Sequence, residues 1–173
     1  MKDRLYNILM SDNINEHGLE LIEIIPELSD MVGFKHNHPY HHLDVWEHTL
    51  YALSFAPKDF IIRLALLLHD IGKPHVCTTD KDGVRHFHGH ADKSCELTYN
   101  ILKRLDYSDT LIELICYLVR YHDIPITEKD VLMDDTVSLA RYYIQYCDSL
   151  AHNPDILYKK EKYLDKTMEL FKK

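Results

Sequence analysis

Histidine is the residue type whose abundance most needs an explanation in this sequence. The chain of 173 residues contains 13 histidines, more than a helical or mixed domain needs for packing. Neutral imidazole is a common metal ligand, and its pKa of about 6.5 lets it move protons near neutral pH. The positions of the histidines, and of the aspartates near them, therefore indicate where chemistry could occur.

Three predicted helices carry an apolar stripe that ends in an ionisable residue. The stripes follow the +3 and +4 spacing of one helix face, and they are Ile62-Ala65-His69, Leu111-Ile115-Leu118-His122 and Val137-Ala140-Ile144-Asp148. Asp70 follows His69 directly. Burying these four groups without a cation would cost several kcal/mol for each unpaired charge. A divalent metal ion bound by all of them would remove that cost.

Two more histidines occupy comparable positions. Val45 and His48 begin a fourth stripe, and His90 lies in the first turn of a fifth predicted helix. A single inward histidine is more often a hydrogen-bonded core residue, and a single inward aspartate is often a helix cap or an ion-pair partner. The whole set favours a metal site, because several helices direct ionisable groups into one apolar interior.

Helix signals dominate the segments that must position these residues. Capping residues, glycine and proline breaks and apolar periodicity predict helices over residues 15–31 with a kink at Pro26, 45–56, 60–71, 90–105, 109–122, 135–151 and 154–172. β-Branched residues around Asp82-Gly83 predict a short β-hairpin within residues 76–87. Residues 33–42 have no period and are expected to form a loop. The predicted fold class is all-α, a compact multi-helix bundle with one short hairpin.

Composition restricts the class of protein. The length suits one domain over residues 1–173, with a motif-bearing core at about 41–154 and flanking helices over 1–32 and 154–172. The formal net charge of −8 leaves no broad basic face for duplex nucleic acid. The four cysteines form no Cys-x-x-Cys pair, so a thiolate zinc site is not expected. No apolar run approaches the ~20 residues that span a bilayer and no signal peptide is evident, so we expect a cytoplasmic protein with no membrane partner.

Four phrases of the sequence closely resemble the HD superfamily of metal-dependent phosphohydrolases. They are Asp44-Val-Trp-Glu-His48-Thr-Leu, Leu67-Leu-His69-Asp70-Ile-Gly-Lys73-Pro, His86-Phe-His-Gly-His90-Ala and Asp148-Ser-Leu-Ala-His-Asn-Pro. The resemblance runs from about His41 to Pro154 and is strongest to the HD domain attached to bacterial tRNA nucleotidyltransferases. We expect a stand-alone domain, because the remaining residues are too few for a nucleotidyltransferase domain.

The resemblance implies a set of metal ligands. The superfamily's minimal pattern binds one ion, and its two-metal members add two histidines between the His-Asp pair and the last aspartate. The residues that match the full pattern are His48, His69, Asp70, His90, His122 and Asp148. Two divalent transition-metal ions (Fe, Mn, Co, Ni or Zn) bridged by Asp70 are thus implied. His86 and His88 compete for the role of His90, and Ser94 stands where we expect glycine.

The ligand types indicate the reaction. Imidazole and carboxylate suit these metals, and two ions ~3.5–4 Å apart can share a hydroxide that attacks a phosphate ester. We therefore expect an enzyme that hydrolyses a phosphomonoester or phosphodiester, with a nucleotide as the small phosphorylated substrate. Lys73 and Arg141 are predicted to bind phosphate oxygens and form the catalytic set with Asp70. The residues predicted to bind substrate are His41, His42, His86 and His88.

Two other functions remain open on the sequence alone. Some superfamily relatives use the same ligands to activate dioxygen, so a di-iron oxygenase is one alternative. A nucleotide sensor that binds without turnover is the other. Oxygen consumption would favour the first, and the complete ligand set argues against the second.

Overall fold

Helices account for most of the chain, as the sequence predicts. The computed structural model describes residues 1–172, with the backbone alone for Ile156. Within these residues the α-helices are α1 (Lys2–Leu9), α2 (Gly18–Ile24), α3 (Val45–Phe55), α4 (Phe60–Leu68), α5 (Lys73–Val76), α6 (His90–Arg104), α7 (Asp109–Arg120), α8 (Glu128–Met133), α9 (Asp135–Leu150) and α10 (Leu157–Met168). Short 3-10 helices cover Ile14–His17, Pro26–Met31, Pro154–Ile156 and Glu169–Lys172. The all-α class is confirmed; Lys173, the last residue of the predicted domain, lies outside the described residues.

The predicted helix over residues 15–31 is divided into three elements. α2 covers its middle, and a 3-10 helix lies on each side. The division falls at Ile25, which has φ −127° and ψ 81°. A residue before proline is disfavoured in the α region, and Pro26 has no N–H to continue the helix. The sequence correctly predicts an irregularity at Pro26. In the structure the helix ends there instead of continuing with a kink.

α4 is the apolar helix at the centre of the bundle. Seven of its nine residues are buried, and it packs against α1, α3, α7 and α9. Its one charged residue, Arg63, donates to the carbonyls of Leu9, Ser11, Ala56 and Pro57. These hydrogen bonds replace the ones that the guanidinium would make with water. The charged group can therefore lie in a buried helix.

Two helices end earlier than predicted. α4 stops at Leu68 and α7 at Arg120, so His69 and His122 lie in the turns that follow rather than within helices. α8 was not predicted from the sequence. It begins with a capping box between Thr127 and Asp130. None of its residues is buried, so its sequence has no apolar stripe from which a helix could be predicted.

The predicted hairpin is present in a short form. β1 (Thr78–Thr79) pairs antiparallel with β2 (Arg85–His86), with Thr78 opposite His86. Gly83 supplies a positive φ of 80° in the turn, a conformation that glycine adopts without strain. Across residues 1–172, no helix has the length and apolar character needed to cross a bilayer.

Candidate metal centre and adjoining cavity

The six residues predicted as ligands meet in the interior of the bundle. They form two triads, and within each triad the ligand atoms lie within 4.8 Å of one another. The inner triad is His48, His69 and Asp148, and the outer triad is Asp70, His90 and His122. Helices α3, α6 and α9 and the turns after α4 and α7 each contribute to this centre.

All four histidines of the triads direct Nδ1 at a main-chain carbonyl. The distances are 3.1 Å from His48 to Ala151, 2.7 Å from His69 to Leu66, 3.0 Å from His90 to Phe87 and 2.7 Å from His122 to Val119. Because a carbonyl only accepts, Nδ1 must carry the proton and donate it. In the neutral ring, Nε2 then presents a lone pair toward the centre, which is the form in which imidazole binds a metal.

The carboxylate of Asp70 lies between the two triads. Its Oδ2 is 3.2 Å from Nε2 of His69 and 3.8 Å from Nε2 of His48. Its Oδ1 is 3.5 Å from Nε2 of His90 and 3.9 Å from Nε2 of His122. Each oxygen thus faces one group of imidazoles.

Several polar atoms of the centre lack a partner. Nε2 of His69 and Oδ1 of Asp70 are buried without a hydrogen bond to any of residues 1–172. Nε2 of His90 and Nε2 of His122 approach to 3.3 Å, although neither carries a proton in the neutral rings that donate from Nδ1. Unpaired buried groups and facing lone pairs are unfavourable. A cation would relieve both, and this donor set suits a divalent transition metal.

The charges in the centre are strongly coupled. Burial opposes protonation of His69, but the carboxylates of Asp70 and Asp148 outweigh burial and raise its pKa to about 10. Burial likewise opposes ionisation of the two aspartates, but the positive groups beside them hold both pKa values well below the usual range. At His122, burial and the charge of His69 lower the pKa to about 4. In the metal-free protein His69 is therefore protonated and must lose its Nε2 proton before it can bind a metal, whereas His122 is neutral.

Lys73 lies at the centre but is already engaged. Its Nζ is 2.6 Å from Oδ2 of Asp70 and 3.2 Å from Nε2 of His36. The side chain is buried, and its ammonium stands 5.6 Å from the centre of the Phe87 ring. Lys73 therefore fixes the orientation of the Asp70 carboxylate.

A cavity of about 390 Å³ opens over the outer triad. All three members of that triad reach its wall, together with Asp148 of the inner triad. The predicted residues that also reach it are Lys73, His41, His86 and His88. His86 and His88 stack with ring centres 5.8 Å apart. Neither ring belongs to the two groups of close ligand atoms, whereas His90 does, so the geometry favours His90 over its two competitors.

Two predicted site residues are not brought to the cavity. His42 and Arg141 are absent from the part of its wall formed by residues 1–172. The guanidinium of Arg141 is buried, donates to the carbonyl of Ile124 at 2.9 Å and lies 5.9 and 5.8 Å from the rings of Tyr117 and Tyr121. Seven residues separate Arg141 from Asp148, which on a helix is about 10 Å along the axis. Arg141 is on the helix face predicted from its spacing, but its guanidinium does not line the described part of the cavity wall.

Several residues of the cavity wall are not predicted from the sequence, and three of them are ionisable residues outside the loop over residues 33–42. His152 is buried and its Nδ1 lies 2.8 Å from the carbonyl oxygen of Asp148, and its position four residues after Asp148 could have identified it. Asp123 and Lys160 also line the cavity. Asp123 directly follows His122 and could have been noted on that ground. Lys160 lies on α10, and no sequence signal relates α10 to the centre.

A close contact sets the distance between two ligand-bearing segments. The N–H of Gly72 donates to Oγ of Ser94 at 2.9 Å. A Cβ at Gly72 would lie 2.5 Å from the backbone nitrogen of Ser94 and 2.6 Å from the carbonyl oxygen of His90, so a side chain there would clash. Ser94, where glycine was expected, thus bonds the turn containing Asp70 to the helix that begins with His90.

Comparisons with known proteins agree with this arrangement. The family model of the HD domain matches residues 39–161. An A-adding tRNA nucleotidyltransferase of Deinococcus radiodurans is 34% identical over 142 residues, covering 75% of this chain and 32% of that protein. A CC-adding tRNA nucleotidyltransferase of Thermus thermophilus is 33% identical over 173 aligned residues, covering 91% of this chain and 37% of that protein. The chain thus spans about a third of the length of these relatives.

Proposed function

The chain belongs to the HD domain family, and on that premise we propose that it is a metal-dependent phosphohydrolase. The proposed substrate is a phosphomonoester or phosphodiester of a nucleotide. The inner and outer triads would hold one divalent transition-metal ion each, with Asp70 shared between them. The matched family model supports the metal-binding character of the domain, and the hydrolytic reaction is our proposal.

The orientation of four imidazole rings is the observation that carries the proposal. All four commit Nδ1 to a backbone carbonyl within 3.1 Å, so their four Nε2 atoms meet two carboxylates in two adjacent groups of three ligands. Histidines that served only for packing would not need a common tautomer. Unpaired atoms of His69 and Asp70 are the ones that a bound cation would satisfy.

The chain's own residues would each perform a distinct task. Bound ions would supply Lewis acidity, which makes water nucleophilic at neutral pH and neutralises charge on phosphoryl oxygens. Lys73 holds Asp70 in place through its 2.6 Å contact, and from the cavity wall it can also donate to a phosphate oxygen. His41 has a buried Nδ1 with no partner among the described residues, and burial lowers the pKa of its ring. A neutral His41 can therefore form a hydrogen bond with an ester oxygen of the substrate.

The cavity wall and the relatives favour a nucleotide. The stacked rings of His86 and His88 and the rings of Tyr40 and Phe87 line the cavity, and planar rings of this kind stack on nucleobases. The relatives are named for adding nucleotides to tRNA, so we propose that the substrate ranges from free nucleotides to the end of an RNA strand. A duplex is not proposed, because the net charge is −8.

A metal-resolved hydrolysis assay tests this proposal. Protein stripped with a chelator would be reloaded separately with Fe²⁺, Mn²⁺, Co²⁺, Ni²⁺ and Zn²⁺. Phosphate or alcohol release would be measured from p-nitrophenyl phosphate, nucleotides and RNA with a terminal phosphate. Activity is expected with at least one ion and not in the stripped protein. Binding of two ions without hydrolysis of any ester would contradict the proposal. Oxygen consumption by the iron-loaded protein would then favour an oxygenase, and nucleotide binding alone would favour a sensor.

A further inference from the structure

A second, smaller cavity adjoins the first. Its volume is about 200 Å³, and it shares His122, Asp123, Asp148 and Lys160 with the larger cavity. His122 belongs to the outer triad and Asp148 to the inner triad. The two cavities therefore meet at the candidate metal centre, with one on each side of these shared residues.

Hydrogen-bonded polar side chains form part of the wall of the smaller cavity. The Tyr163 hydroxyl donates to Oε1 of Gln145 at 2.7 Å, and Nε2 of Gln145 donates to the carbonyl of Ile124 at 2.7 Å. Ser149 contributes a further hydroxyl to the lining. A volume below the ~300 Å³ typical of pockets for drug-sized ligands suits a small polar fragment, such as a sugar, better than a whole nucleotide.

Lys160 is the cation available where the cavities meet. It is half-buried on α10, and no hydrogen bond or ion pair joins its ammonium to another residue within 1–172. The two cations that the sequence analysis favoured are both engaged. Lys73 is paired with Asp70, and Arg141 donates to the carbonyl of Ile124. An unpaired ammonium carries three hydrogen-bond donors, and in the lining of the smaller cavity it is suited to donate to an oxygen of a group bound there.

The number of cavities distinguishes two classes of substrate. A phosphomonoester carries one organic substituent on phosphorus and needs one cavity beside the metals. A phosphodiester carries two substituents, which extend from phosphorus in different directions. The two cavities meet beside residues of both triads. This arrangement matches a phosphodiester.

We propose that the smaller cavity is a subsite for the second substituent of a phosphodiester, and that Lys160 at the junction donates a hydrogen bond to an oxygen of that substituent, which a monoester lacks. This inference rests on the proposed hydrolase function. In the reaction, the oxygen of water forms a bond to phosphorus as one ester P–O bond breaks. The departing oxygen takes up a proton released by that water, which gives a phosphomonoester and an alcohol.

Matched esters and matched lysine variants test the subsite. The esters are p-nitrophenyl phosphate, a monoester, and the p-nitrophenyl ester of thymidylate, a diester; both release p-nitrophenolate. Lys160→Met is expected to lower the ratio of diester to monoester kcat/KM by about 10- to 100-fold, the effect of one lost charge-assisted hydrogen bond. Most of this change should be in KM for the diester, and Lys160→Arg should restore most of it. Lys159→Met is the control, since Lys159 is exposed and its ammonium lies over the Tyr158 ring.

The outcomes separate the subsite from the hydrolase proposal. Equal effects of Lys160→Met on both esters, or no effect on the diester, would overturn the subsite while leaving hydrolysis intact. If the wild-type protein hydrolyses neither these two esters nor the nucleotides and RNA of the metal-resolved assay, the hydrolase proposal fails. Calorimetric titration of the Mn²⁺-loaded protein with thymidylate and with thymidylyl-thymidine then decides the subsite. Lys160→Met must weaken binding of the dinucleotide at least about tenfold more than binding of thymidylate; a smaller difference overturns the inference.

Discussion

The inner and outer triads use the same ligand types in different surroundings. His48 and His69 have no exposed surface, and within residues 1–172 the larger cavity is lined by Asp148 but by neither of these histidines. Every member of the outer triad lines that cavity. An ion in the inner triad would therefore exchange slowly and contribute to the core, whereas an ion in the outer triad would meet substrate.

The triads also differ in how protons compete with metal. Among its neighbouring carboxylates, His69 has a pKa raised to about 10, while His122 has a pKa lowered to about 4. Near neutral pH an ion must displace a proton from His69, but it finds His122 already neutral. Because proton loss is linked to metal affinity, the inner position should depend more steeply on pH. Burial and the positions of the carboxylates thus give two triads with the same ligand types a different dependence of metal affinity on pH.

Asp70→Asn should have the largest effect, because it removes the one carboxylate that faces both triads. We expect both ions to be lost and kcat/KM to fall by at least about 10³-fold, as the stabilisation of the transition state by both ions disappears. Metal analysis and ester hydrolysis measure the two effects. The exposed Asp12 provides the control Asp12→Asn, which should retain both ions. Retention of both ions by Asp70→Asn would show that the triads are independent.

Alanine substitutions of His69 and His90 should separate the two positions. Each variant is expected to bind one ion fewer per chain. His69→Ala should also lower the free energy of unfolding of the metal-free protein by about 3–5 kcal/mol, because it breaks a fully buried ionic group. His90→Ala should cost clearly less, since the His90 side chain is 15% exposed. Metal content and urea denaturation in chelator measure both. Equal losses of stability would remove the distinction between the triads.

Lys73 and Arg141 should differ in what their loss affects. Lys73→Met is expected to lower kcat/KM by about 10- to 100-fold, because the orientation of Asp70 and a charged donor are both lost. Arg141→Met is expected to lower the free energy of unfolding by about 1–3 kcal/mol, since the Ile124 carbonyl loses a charged donor. Hydrolysis per folded molecule should stay within about threefold of wild type, as Arg141 does not line the cavity. A large kinetic effect of Arg141→Met would restore its predicted role in phosphate binding.

The smallest effect should be the dependence of metal-free stability on pH. The raised pKa of His69 stabilises the fold below its unfolded value of about 6.5, and this contribution is lost as the pH rises toward about 10. The lowered pKa values of Asp70 and Asp148 stabilise the fold above about pH 4 and cease to do so in acid. The lowered pKa values of His41 and His122 act in the opposite direction to His69, because these rings resist protonation in the fold and cost stability as the pH falls below about 6.5. Denaturation of chelated protein should thus show maximal stability near pH 6.5. His69→Ala should remove the alkaline decline, and an unchanged decline would assign it to another group.

The helical fold and the inward position of three site residues could be predicted because both depend on periodicity, whereas the full set of six rests on the resemblance to the HD superfamily. Apolar residues at +3 and +4 identify the buried face of a helix, and His69, His122 and Asp148 continue that face. The assignment of these residues as metal ligands stays a prediction. The ends of α4 and α7 could not be predicted from periodicity. There Nδ1 of His69 and Nδ1 of His122 donate to the carbonyls of Leu66 and Val119, which would otherwise accept the backbone amides that continue each helix.

Arg141 and Lys160 show where periodicity stops being informative. A helical spacing gives the face on which a residue lies but not the tertiary partner of its side chain, and Arg141 donates to the carbonyl of Ile124 and does not line the described part of the cavity wall. Lys160 reaches the cavity only because α10 packs against α9. Contacts of that kind depend on tertiary structure, and one helix's own pattern does not contain them.

The pairing of imidazole Nδ1 with a nearby carbonyl has a consequence for protein engineering. In His69, His90 and His122 the carbonyl belongs to the residue three positions earlier, so each oriented ring is contained within four consecutive residues. Leu66 and Val119 lie in the last turns of their helices, where carbonyls lack an amide partner. Such a four-residue cassette could be transplanted to the end of an unrelated helix. The host backbone would then select the tautomer, and a designer would need to supply only the remaining ligands.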